Sequence, residues 1–177
     1  MKAYYTKFVA RTAILLALCL VVQQFKTLSQ FITGPLVNLI LIIAALAVGL
    51  WSGVIIAVLS PVAAFLITPS PVLRLVPQLI IMIMFGNVLI VLFTWLFREK
   101  KLWIGLAIGS VLKAGALTLS LHFIIFPFFG DVLKEPQRIA LSAMFSYNQL
   151  ITAAIGSLIC VLIWPRLKKT PSFVLHK

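Results

Sequence analysis

Lys113 is the residue of this 177-residue chain best placed to do chemistry. It stands in Gly105-x3-Gly109-x3-Lys113-x2-Ala116-x3-Ser120, a spacing that predicts a single helical face. Small residues let a neighbouring helix come close, so this face is expected to point into a bundle and away from lipid. A buried ammonium costs several kcal/mol unless it is paired or neutralised. The acids of the chain, Glu99, Asp131 and Glu135, all lie outside its apolar runs, so no membrane carboxylate is available as partner. The lysine must therefore be neutral, hydrated, bonded to amides or carbonyls, or paired with an anionic ligand. Two roles stay open, a ligand-facing cation and a structural one held by neighbouring carbonyls.

The uncharged amides form the second group. Asn87 follows Gly86 at similar depth, and Asn148 and Gln149 stand beside Tyr147 at the outer end of the last apolar run. Asn38 and Gln78 lie near outer ends of earlier runs, Arg74 in the loop just above, and His122 in the outer half of the fifth run. Any one amide could serve only as a helix–helix hydrogen bond worth about 1 kcal/mol. As a set they occupy the outer half or the midplane and leave the inner half apolar. That distribution predicts a pocket open to the outside and closed below, with Asn38, Arg74, Gln78, Asn87, Lys113, Tyr147, Asn148 and Gln149 as candidate binding residues.

Other chemistries have no residues to carry them. There is no GxxxxGK[ST] to cradle a nucleotide, no HExxH, no His/Cys cluster and no carboxylate pair. The chain is read as a non-enzyme with no cofactor, no metal and no catalytic residue. A carboxylate proton relay is also missing, which disfavours an ion-coupled carrier.

The elements that must position these residues follow from composition. The chain is 63% hydrophobic and 10% charged, with a mean hydropathy of +1.18, too apolar to cover a soluble surface. The runs are too long and too unalternating for a β-barrel. The expected fold is an all-α integral membrane protein, one domain over residues 1–177, a compact bundle of six transmembrane helices. The spans are placed at about 8–23, 35–50, 53–67, 76–97, 103–126 and 142–164. The formal charge of +12 sits at span ends, where it reads as topology signals and lipid contacts and not as a nucleic-acid footprint. Cys19 and Cys160 fall at different depths, which disfavours a disulfide. The N-terminal Lys2, Lys7 and Arg11 before an apolar run resemble a secretory signal, but no A-x-A site follows, and a retained first span is expected.

Residues 35–68 decide the topology. This uncharged stretch would run roughly 50 Å as one helix, against about 30 Å of hydrocarbon. It reads as a two-span hairpin with its turn at Gly49-Leu50-Trp51-Ser52-Gly53, started by Pro35 as first helical residue and kinked at Ser60-Pro61. Thr68-Pro69-Ser70-Pro71 reads as a rigid turn, residues 128–141 as a loop, and Pro127 and Pro165 as helix stops. With six spans and both termini cytoplasmic, the cations concentrate inside; counting the stretch as one crossing would split them.

The assembled pattern resembles the substrate-binding S component of energy-coupling factor (ECF) vitamin transporters, over essentially the whole chain. The resemblance is carried by size, six short spans, Ile32-Thr33-Gly34-Pro35-Leu36-Val37-Asn38 leading into the hairpin, Phe145-Ser146-Tyr147-Asn148-Gln149-Leu150-Ile151-Thr152 opening the last span, and Ala13-x3-Ala17 in the first. It implies a high-affinity subunit of an ABC-type importer in a bacterial cell membrane. Such a subunit binds a vitamin-like small molecule from outside and docks on a membrane T component through the small-residue face at Ala13 and Ala17. Two cytosolic ATPases then drive the toppling that releases the vitamin inside. Residues 24–33, 68–77 and 128–141 would be lids. A lysine and an arginine without acids suit an anionic or carbonyl-rich ligand, pantothenate first and cobalamin second. An aromatic, thiamine-type ligand is disfavoured, because the tryptophans all lie near the inner interface. An autonomous secondary carrier and a non-transporting scaffold are the rival readings.

Overall fold

Backbone polar groups in lipid must be satisfied within their own segment, so long apolar runs become helices. The computed structural model describes residues 2–25, 29–67, 71–99, 101–170 and 174, and among these it contains helices and turns but no strand. Six helical runs among the described residues are long and apolar enough to cross a membrane: Ala3–Gln24, Gln30–Val48, Leu50–Ile67, Leu79–Leu96, Leu102–Val132 and Glu135–Leu167. The chain is thus an all-α, multi-pass membrane bundle.

In chain order the helices are α1 (Lys2–Gln24), α2 (Gln30–Ile43), α3 (Leu50–Ile67), α4 (Pro71–Leu75), α5 (Leu79–Leu96), α6 (Leu102–Ser120), α7 (Phe126–Phe129), α8 (Glu135–Phe145) and α9 (Tyr147–Leu167). Two π-helical turns interrupt them, Ala44–Val48 after α2 and Leu121–Ile125 after α6. The bundle has a basic end, with Gly49, Arg98, Lys101 and Lys168, and an opposite cap end, where α4, α7 and α8 sit.

The hairpin holds, but its turn is tighter than expected. Gly49 alone makes it, at φ +134°, a conformation that a side chain would strain. α3 begins at the next residue, so Gly53 belongs to the helix, where a Cβ would come 2.7 Å from Val91 Cγ1.

The prolines depart most from expectation. Pro35 does not open its helix: Ser29 caps α2 six residues upstream of it, its hydroxyl accepting from Phe31 N at 3.2 Å. Pro35 lies inside the helix and removes a single hydrogen bond. Pro127 does not end the fifth span either. The π turn restarts the helix at Phe126, which leaves Pro127 in a first turn where its missing N–H needs no partner. Pro165 lies inside α9, which runs on to Leu167.

Residues 128–141, read as a loop, are mostly helical. The end of α7, a 3₁₀ turn at Gly130–Val132 and most of α8 occupy them. α8 starts where Gln137 Oε1 accepts from Lys134 N at 2.8 Å, and it ends at Ser146 (φ −106°, ψ −107°), which separates it from α9. α9 therefore begins at Tyr147, inside a sixth apolar run that starts at Glu135, and α5 begins at Leu79. Of the expected Thr68–Pro71 turn, residues 68–70 lie outside the described residues, and Pro71 opens α4.

Two apolar cores fill the bundle. The larger, towards the basic end, gathers Leu41, Ile42, Ile56, Ile90, Val91, Leu106 and Trp164. The smaller, at the cap end, gathers Val76, Leu79, Leu117, Leu121, Ile125, Leu133, Leu141 and Phe145. α2 meets α9 closely because Gly156 has no side chain: a Cβ there would lie 2.6 Å from Pro35 O. α1 is the most peripheral span, with 11% of it buried against 61% of the second. It is tied to α3 by a buried bond in which Thr12 Oγ1 donates to Ser52 Oγ at 2.9 Å.

Candidate functional site

Between the two cores lies a polar layer built by three helices. Lys113 of α6 donates from Nζ to Asn38 Oδ1 of α2 at 2.5 Å and to Asn87 Oδ1 of α5 at 2.7 Å. All three side chains are buried, at 4%, 1% and 3% exposure, so these bonds form away from lipid and water. Asn87 Nδ2 in turn reaches Ala57 O of α3 at 3.5 Å. Of the outcomes open to a buried lysine without a membrane carboxylate, the fold supplies bonding to neutral amide oxygens.

The helices converge there because α6 presents Gly105, Gly109 and Lys113 on its buried face. At Gly105 a Cβ would come 2.6 Å from Phe93 O of α5. The face continues through Ala114 and Leu117, while Ala116 and Ser120, expected on it, are half-buried. The reason is the pitch: at 3.6 residues per turn the stripe drifts, and it passes to Leu117 after Lys113. An ammonium carries three donors. Two of Lys113's are taken by the amides, which leaves one for a further acceptor.

The other predicted binding residues are not joined to this layer by hydrogen bonds. Arg74 is exposed on α4 and Tyr147 is 59% exposed at the start of α9. Gln149 is half-buried, its carbonyl accepting from Thr152 Oγ1 at 3.2 Å. Gln78 and Asn148 open α5 and α9 at the cap end, and Gln78 Oε1 and Asn148 Oδ1 are buried without a partner. Orphaned buried acceptors call for a donor from water or ligand. The cap end also holds the smaller core, in which Leu117, Leu133, Leu141 and Phe145 are buried.

The cap is pinned by residues that sequence reading did not single out. A helix leaves its last carbonyls without intrahelical partners. At the end of α8 two are approached by distant side chains: Gln30 Nε2 donates to Met144 O at 3.2 Å, and Thr118 Oγ1 shares its proton between Ala114 O at 2.8 Å and Phe145 O at 3.2 Å. Arg138 of α8 lies over the Phe126 ring at 5.9 Å, in space that a side chain at Gly130 would fill. No local pattern could reveal these contacts, because the first joins residues 114 positions apart. His122 stays exposed, its Nδ1 3.0 Å from Thr118 O.

On α1, Ala13 and Ala17 are both exposed and lie one turn apart on its outward side. Among the described residues no group of His, Cys, Asp and Glu could hold a metal ion.

Neither the curated proteins nor the solved structures compared with the chain match it. The profile of one family, described as ECF transporter, substrate-specific component, matches residues 7–167. That match runs from the first turns of α1 to the last residue of α9 and takes in the polar layer, the cap and the hairpin. The chain belongs to the family of substrate-specific components of ECF transporters.

Proposed function

We propose that the chain is the high-affinity subunit that captures a vitamin or related micronutrient from outside a bacterial cell for an ECF-type ABC importer. It delivers its cargo by toppling when docked on the membrane T component and the two ATPases. The observation that carries the reading is the acid-free layer in which a buried Lys113 is held by the amide oxygens of Asn38 and Asn87, beneath a separate cap. Gln78 and Asn148, whose buried oxygens lack partners, supply acceptors nearer the cap. Arg74, Tyr147 and Gln149 would join them as the cap opens. An anionic vitamin makes use of Lys113, so pantothenate ranks before the larger, neutral cobalamin.

The docking face is α1, whose exposed Ala13 and Ala17 allow close approach by another helix. The clustering of Lys7, Arg98, Lys101, Arg166, Lys168 and Lys169 at one end supports cytoplasmic termini. The experiment is mass spectrometry of the small molecule released from the chain purified in mild detergent, together with co-purification of a T component and two ATPases. Recovery of a carboxylated vitamin and of that complex is expected. A chain that carries no small molecule and never associates with such subunits overturns the reading.

A further inference from the structure

The membrane-facing side of the bundle holds a groove that substrate capture does not use. It runs between α6 and α9, encloses about 310 Å³, and is lined by residues that include Trp103, Ala107, Ser110, Ala154, Ser157 and Val161. The two alanines leave it open. The two serines present no unmet polar demand, because their hydroxyls meet at 3.2 Å and Ser110 also donates to Leu106 O at 2.8 Å. Along α9 the lining extends from Leu150 to Val161, roughly 17 Å of helix, which is close to half of the about 30 Å hydrocarbon thickness. The shape and chemistry suit one apolar chain of a single leaflet.

At the basic end both walls of the groove finish in cations. Lys101 caps α6 just ahead of Trp103, and Lys168 caps the end of α9, two helical turns beyond Val161 on the same face. Both are exposed. Glu99, the acid of that end, already bonds Arg98 at 3.2 Å. Trp103, 65% exposed at the rim, has the amphipathic ring that settles at headgroup level. Basic clefts between transmembrane helices favour anionic headgroups by about 1 kcal/mol per cation.

We propose that this groove is a binding site for an anionic phospholipid, with one acyl chain between α6 and α9 and the headgroup phosphate held by Lys101 and Lys168. A zwitterionic lipid fits the groove but gains little from the cations, so the site selects by charge at one end and by shape along its length. The site does not depend on which small molecule the polar layer binds.

The test uses the full chain, delipidated in mild detergent, and native mass spectrometry with phosphatidylglycerol and phosphatidylcholine of identical acyl chains. One phosphatidylglycerol per chain should be retained at least about ten-fold better than phosphatidylcholine, as two cations at about five-fold each imply. Lys101→Gln with Lys168→Gln should bring phosphatidylglycerol down to the phosphatidylcholine level. Ala107→Phe with Ala154→Phe should lower retention of both lipids. Equal retention of the two lipids by the unaltered chain, or undiminished phosphatidylglycerol in the charge variant, overturns the proposal. If the groove-filling variant does not fold, the charge variant decides alone, because its residues are exposed and carry no packing.

Discussion

At the scale of single residues, Lys113 has two jobs that pull mutational outcomes apart. Its ammonium satisfies two buried amide oxygens, and on the proposed reading it also faces the ligand. Lys113→Met keeps the bulk and removes the charge. Asn38 and Asn87 would then each hold an unpaired buried oxygen, at about 1–3 kcal/mol apiece, so the thermal unfolding midpoint should fall. A lost charge-assisted bond to the ligand is worth about 1.5–3 kcal/mol, which is roughly ten- to hundred-fold in affinity. Isothermal titration with the released vitamin measures that loss. Reduced stability with unchanged affinity would leave the lysine as a structural residue only. That a mid-span Lys113 needs neutralisation, water, amide or carbonyl oxygens or an anionic ligand is legible from the chain, because no carboxylate lies at its depth. Which amides answer it is not legible, because its partners lie 75 and 26 residues away on helices brought together only by packing. Nor does the chain tell which candidate residues are buried: Lys113, Asn38 and Asn87 are, while Arg74 and Tyr147 are exposed.

At the scale of elements, six spans and the hairpin at Gly49 can be read from apolar length and charge alone, because the bilayer fixes both. The misread boundaries are those inferred from proline. Proline forbids a helix interior only where its missing N–H and its ring have no accommodation. Here a serine cap six residues upstream of Pro35 and a π turn just ahead of Pro127 supply it. α8 escaped notice because its first turn is polar and proline-bearing, a pattern shared by loops and helix starts. Packing between elements makes sharper predictions than their boundaries do. Gly156→Ala would drive a Cβ to 2.6 Å from Pro35 O, a backbone atom that cannot step aside. It should destabilise the α2–α9 pair by about 1–3 kcal/mol, read as a lower unfolding midpoint in detergent. Gly115→Ala, with nothing within 4 Å, should be neutral or stabilising by up to about 1 kcal/mol. The cap offers a third case. Gln30→Ala with Thr118→Val frees the last carbonyls of α8, and amide hydrogen exchange should quicken in α8 while α5 stays protected. Uniform exchange across both helices would mean that the cap and the bundle open together.

At the scale of the whole molecule, the burial of the spans is uneven in a way that bears on how the subunit works. Five spans enclose the polar layer and the two cores, while α1 lies against them with its outward side bare. Its buried side is fastened by Thr12 to Ser52 and by Cys19, at 0% exposure, in the larger core. The exposed side carries Ala13 and Ala17. Helices in lipid associate through close packing and not through hydrophobic exclusion, so a bare, small-residue side is where another transmembrane helix can gain contact. On the proposed reading that helix belongs to the T component, and docking is separate from capture, because both alanines are exposed while Lys113, Asn38 and Asn87 are buried. Ala13→Trp with Ala17→Trp should therefore leave vitamin affinity within about two-fold, as expected for substitutions far from the site with no shared partners. The same variant should abolish uptake and co-purification of the T component, because two indoles hold the helices apart. Filter binding on the purified chain and vitamin accumulation in cells measure the two properties independently. Uptake that survives both tryptophans would move the docking surface off α1. Affinity lost along with uptake would mean that α1 shapes the capture site itself, and that the two sides of the bundle are not independent.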